Sequence, residues 1–121
     1  MIRPLMIALV LATVCGCSKD GDRKNPEQPV IIDPGERDRG LRACKTYVER
    51  ACRCAKERPA LAGDCNKAQS VAQSLQMMID TVLSDQVDNN ERRRLIKSVR
   101  GAVNTCFSEV AKMDPKVCPP K

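Results

Sequence analysis

Eight cysteines set against one tyrosine, one phenylalanine and no tryptophan constrain this 121-residue chain more than any other feature. Without aromatic bulk, a core has to be assembled from Leu, Ile, Val, Met, Ala and cystine. A domain of about 80 residues is marginal by burial alone and commonly needs covalent staples. Six of the cysteines (Cys44, Cys52, Cys54, Cys65, Cys106 and Cys118) are spread over one such stretch. The other two, Cys15 and Cys17, close an apolar segment at the N-terminus.

That segment has the order of an export signal. Arg3 precedes an apolar run from Leu5 to Val14, and the run is far shorter than the about 20 residues a spanning helix needs. Val14-Cys15-Gly16-Cys17 resembles the lipobox of bacterial lipoproteins, with an aliphatic residue, then a small residue, then the cysteine that receives lipid. The resemblance implies cleavage by type II signal peptidase, removal of residues 1–16 and acyl chains on Cys17. It also implies a location in the cell envelope. Ser18, rather than Asp, follows the lipidated position, which in that family favours the outer membrane facing the periplasm. Parity agrees with the choice of Cys17 over Cys15: discarding Cys15 and acylating Cys17 leaves an even six, the pattern of a disulfide framework in an exported chain.

Residues 17–38 form the expected lipidated N-terminus and flexible tether, since they are rich in Pro, Gly and charge and lack periodicity. About 20 such residues reach at most about 70 Å extended and about 25 Å as a flexible coil. Val30-Ile31-Ile32 interrupts the polarity and is expected to dock on the domain or to pair with a partner's strand. Residues 39–121 make up the cysteine-rich helical domain.

Three amphipathic patterns fill that domain. The first, over 39–57, places Leu41, Cys44, Val48, Ala51, Cys52 and Ala55 on one helical face, and Pro59 and Gly63 mark the break after it. The second, over 64–84, lines up Cys65, Ala68, Val71, Ala72, Leu75, Met78, Ile79, Val82 and Leu83, with Asp64 as its expected N-cap. The third, over 91–113, has Leu95, Ile96, Val99, Ala102, Val103, Cys106, Phe107 and Val110 on its apolar side, with Asn89 or Asn90 as its cap. Short connections between such helices give antiparallel neighbours, so the chain is expected to be all-α, a small disulfide-stapled three-helix bundle.

Helix faces restrict the pairing of the cysteines. Cys44, Cys52, Cys65 and Cys106 lie on core stripes, whereas Cys54 is rotated about 160° from Cys52 and Cys118 lies beyond the third helix. The favoured set joins Cys44 to Cys106, Cys52 to Cys65 and Cys54 to Cys118. It requires the second and third helices to protrude past a shorter first one. A rival set, Cys54–Cys65, Cys52–Cys106 and Cys44–Cys118, needs the tail to fold back, and spacing alone does not choose among the possible connectivities.

The chemistry-bearing residues are few. There is no histidine, hence neither the commonest general base nor the commonest metal ligand. No Ser-His, Cys-His or paired-carboxylate arrangement is visible, so no catalytic residue, cofactor or enzymatic activity is expected. The net charge of +6 would ordinarily suggest nucleic acid; for an exported chain the expected counterparts are instead anionic lipid head groups, cell-wall polymer or an acidic protein. Arg93, Lys97 and Arg100 share a helix face at i, i+4 and i+7 and are the candidate anion-binding residues. Cys52 and Cys54, helped by Met77, Met78 or Met113, could bind Cu(I) if reduced, although disulfides are the expectation and no metal site is assigned. The run of cysteine-bearing helices is similar to small cysteine-rich lipoproteins of Gram-negative bacteria. These features together imply a non-catalytic membrane-anchored envelope lipoprotein, a protein-interaction module whose partner is another envelope protein. The alternatives are an anionic-polymer or lipid head-group binder and a thiolate metal carrier.

Overall fold

Asp33 starts the first helix. Its carboxylate accepts the Glu36 backbone N–H at 2.9 Å, Pro34 stands at the first helical position, and Glu36 adds a negative charge to the first turn. In the computed structural model, which describes residues 29–120, α1 therefore spans Pro34–Glu57. It begins five residues before the boundary expected at residue 39, because the Pro-Gly-charge composition that reads as a tether is here a helix N-terminus. A 3-10 turn, Pro59–Leu61, leads into α2 (Ala62–Leu83), and α3 runs over Asn89–Lys112. Asp64 sits inside the first turn of α2 instead of capping it. Asp88, and neither Asn89 nor Asn90, caps α3 by accepting the Glu91 N–H at 2.8 Å. No strand occurs among the described residues. The fold is a small disulfide-stapled all-α three-helix bundle.

Three disulfides fasten it: Cys44–Cys106, Cys52–Cys65 and Cys54–Cys118, with Cα separations of 5.0, 4.5 and 5.5 Å. The first sets the register of the parallel helices α1 and α3. Cys44 lies ten residues into α1 and Cys106 seventeen residues into α3. The two helices are thus offset by about seven positions, or about 10 Å at 1.5 Å per residue. The expected protrusion of α3 past the start of α1 is present; that of α2 is not. Cys52–Cys65 makes α2 end level with the start of α1, since α1 begins earlier than its periodicity suggested.

The stagger leaves a gap at each end of the bundle. At the leading end, where the chain enters α1, extended residues ahead of Pro34 run beside the overhanging first turns of α3. The Val30 N–H donates to the Asn89 side-chain oxygen at 3.3 Å, and Ile32, only 5 % exposed, joins the core with Ile79, Val82 and Ile96. Val30-Ile31-Ile32 thus docks on the domain, with Ile31 turned outward. Arg92 secures the same end, its guanidinium donating to the carbonyls of Val82, Ser84 and Val87 and so satisfying the C-terminal turn of α2. At the stapled end α1 outruns α3, and the turn 114–118 fills the space. There Arg50 donates to the Cys118 carbonyl at 2.7 and 3.1 Å, and Arg53 reaches the Pro119 carbonyl. Between the ends, Gly40 lets α1 approach α3 closely: a Cβ at this position would stand 2.6 Å from Val103 Cγ2.

Residues 1–16, the lipidation candidate Cys17 and the first part of the expected tether lie outside the described residues. No helix among the described residues is long and apolar enough to cross a membrane.

Candidate functional site

The stapled end holds a cavity of about 240 Å³. It forms where α1, the 3-10 turn, the start of α2 and the tail after α3 meet without filling the space between them. Tyr47 and Ala51 of α1, Leu61, Met113, Val117 and the Cys54–Cys118 disulfide give it apolar walls. Asp64, Glu109, Lys112 and Asp114 stand at its polar side.

Tyr47, at 1 % exposure, is the largest buried side chain of the domain and backs the inner wall of this cavity. Burial pushes its pKa up, and the nearby Glu109 and Asp64 carboxylates push the same way while Lys67 opposes them.

Glu109 is the centre of the charges there. Lys67 Nζ approaches its Oε1 at 3.2 Å and Lys112 Nζ at 3.5 Å. The hydrogen bond from Lys67 holds the Glu109 carboxyl below its usual range and raises the Lys67 pKa in return. With Asp64 and Asp114, three carboxylates face two ammonium groups.

The basic face expected on α3 is present in outline. Arg93, Lys97 and Arg100 are all exposed on α3. Arg100 is nevertheless engaged: its Nε and Nη2 donate to the two carboxylate oxygens of Glu36 at 2.5 and 3.1 Å, a bidentate pair that links α3 to the first turn of α1. The Arg100 hydrogen bond lowers the Glu36 pKa and raises that of Arg100. The third member of the trio thus already holds an anion belonging to its own chain. Periodicity did not show this because Glu36 was read as part of the tether.

Cys52 and Cys54 carry no free thiolate, each being paired in a disulfide. Among the described residues no group of three or more His, Cys, Asp or Glu side chains is disposed to hold a metal ion. Three residues matter more than their sequence suggested. Arg50 and Arg92 look like solvated charges, and only the tertiary path of the chain brings carbonyls to them. Tyr47 had a visible signal: it lies three residues after Cys44 and four before Ala51, both on the core stripe of α1.

No family model matches the chain, and neither the curated proteins nor the solved structures contain a significant match to it.

Proposed function

We propose that this chain is a non-catalytic lipoprotein of the cell envelope, anchored through acyl chains on Cys17, whose helical domain is an interaction module for another envelope protein. The observation that supports it most is the direction from which the chain enters the bundle. Val30 and Ile32 bind the leading end, beside the overhang of α3. A lipid on Cys17 would therefore hold that end toward the membrane and leave the stapled end, with its cavity, facing away. By the lipobox resemblance, Ser18 favours the outer membrane, with the domain in the periplasm.

Binding of anionic polymer or lipid head groups through Arg93, Lys97 and Arg100 is the weaker reading, since Glu36 neutralises Arg100. A thiolate metal carrier would require the disulfides to be reduced. The test is the intact mass of the protein recovered from membranes. The reading expects cleavage before Cys17, added acyl chains and the loss of six hydrogens for three disulfides. A Cys17→Ser variant should leave the membrane fraction. An uncleaved or unacylated product would overturn the anchor.

A further inference from the structure

We propose that Cys52–Cys65 is a thiol-exchange site: a dithiol reductant opens this bond while the other two disulfides stay closed, and its opening frees the connection between α1 and α2. The inference goes beyond the interaction-module reading and does not rest on it.

Access separates the three bonds. Displacement at a disulfide needs a thiolate in line with the two sulfurs, so reactivity follows exposure. Cys44 and Cys106 are 1 % and 0 % exposed, and Cys54 and Cys118 are 3 % and 4 % exposed. Cys52 and Cys65 are instead both half-buried, one on α1 and the other in the first turn of α2. Ring size separates the bonds in the same order. Cys52–Cys65 has a sequence separation of 13, against 62 and 64 for the others. It therefore restrains the unfolded chain least, and its loss costs the whole fold least.

Locally the same bond matters more. No residue from 55 to 67 is buried. The 3-10 turn contributes nothing to the core, and the first buried residue of α2 is Ala68. Leu61, at the N-cap of α2, gives the first turn no side-chain hydrogen bond. Lys67 meets Glu109 in a solvent-screened ion pair. Cys52–Cys65 is thus the covalent tie of this segment to α1, backed by the half-buried Leu61. A stretch with few buried contacts opens at low free energy once its tie is cut. Leu61 and Asp64, which line the cavity at the stapled end, move with it. Cys44–Cys106 and Cys54–Cys118 continue to hold α1 to α3 and to the tail. In the exchange itself, one thiolate of the dithiol bonds to one protein sulfur, and the S–S electron pair departs on the other. The second thiolate of the dithiol then displaces that mixed disulfide. The dithiol leaves as a disulfide, and Cys52 and Cys65 become thiols by taking up the two protons it gave up.

The experiment treats the full oxidised chain, without denaturant, with rising concentrations of dithiothreitol, traps thiols with iodoacetamide and maps the labelled cysteines by mass spectrometry. Cys52 and Cys65 should be labelled together, at least about tenfold faster than any of the other four. At that stage the far-UV circular dichroism should be unchanged. Amide exchange over 61–67 should be at least about tenfold faster, with Ile79 and Val99 as protected as before. The variant Cys52→Ser with Cys65→Ser, which keeps both buried disulfides, should show the opened exchange pattern without reductant and take up no label. Label on Cys44, Cys54, Cys106 or Cys118 at the same rate, six free thiols before any reductant, or unchanged exchange over 61–67 after the bond has opened would overturn the proposal. None of these outcomes bears on the anchor, which the intact mass decides.

Discussion

At the leading end α3 overhangs α1, and the space is closed by an extended apolar segment with Ile32 buried at its centre. At the stapled end α1 overhangs α3, and the space is closed by a turn fastened through Cys54–Cys118 and the Arg50 hydrogen bonds. One offset, set by Cys44–Cys106, creates both gaps. The difference lies in what each solution leaves behind. A docked isoleucine fills space by contact, whereas a disulfide fixes the chain at a point and leaves room beside it. Hollows also lie beside Glu36 and Arg100 and along the first turns of α3, and the one backed by Tyr47 and the Cys54–Cys118 disulfide lies at the end closed by the covalent bond.

The largest test of this comparison removes its cause. Replacing Cys44 and Cys106 together by alanine, which opens a ring of 62-residue separation, is expected to cost about 4 kcal/mol by the loop-entropy argument. It should also loosen both ends, seen as faster amide exchange at Ile32 and at Cys118 alike. Loss confined to one end would mean that the register is set elsewhere.

Next in size is Ile32→Ala. Truncating a buried isoleucine should cost about 3 kcal/mol in denaturant unfolding, and faster exchange should be confined to the leading end. The counterpart, Cys54→Ala with Cys118→Ala, should speed exchange only around the tail. If either change spreads across the molecule, the two closures are not independent.

A smaller effect probes the middle of the bundle. Gly40→Ala gains up to about 1 kcal/mol of helix propensity, but its Cβ meets Val103 Cγ2, on a side chain with one favoured rotamer in a helix. In the native background overpacking should win and lower stability by about 1 kcal/mol. In a Val103→Ala background the same substitution should raise stability. No inversion of sign would show that the helices simply move apart.

The smallest effect compares the ion pairs of the two ends. Glu36 and Glu109 are both held below the ordinary carboxylate value of 4.5, by Arg100 and by Lys67 respectively. A depressed folded-state pKa contributes stability that is present above 4.5 and lost as pH falls through the folded value. Melting temperature should therefore decline slightly below about pH 5. Glu36→Gln and Glu109→Gln should each flatten part of that decline, since both pairs are solvent-screened.

The three helices were legible from apolar periodicity, because Cys44, Ala51, Leu75, Ile79, Val99 and Cys106 repeat at helical spacing and all are buried. Helix faces also carried information about the cysteines, since Cys54 and Cys118 are the two that periodicity sets apart and the structure joins them. The start of α1 was hidden, as Asp33-Pro34-Gly35-Glu36 has the composition of a linker and becomes a helix start only when Asp33 caps it. The cavity was illegible for a deeper reason. It is a failure of elements to fill space, and no residue pattern encodes how a turn, a tail and two helix ends leave a void. Arg100 reads as an anion-binding charge in sequence because its partner Glu36 is 64 residues away, and the carbonyls that Arg50 and Arg92 meet, 68 and 10 residues off, are equally invisible to helical periodicity.

The disulfides interlock, with Cys54–Cys118 beginning inside the Cys44–Cys106 ring and closing outside it. A protease that cuts the 84–88 turn between α2 and α3 would therefore release nothing. The fragments on either side share two covalent bridges and would migrate as one species until a reductant separated them. Wherever a protease meets that exposed turn, the domain can be nicked into a two-chain protein and still hold both ends of the bundle in place.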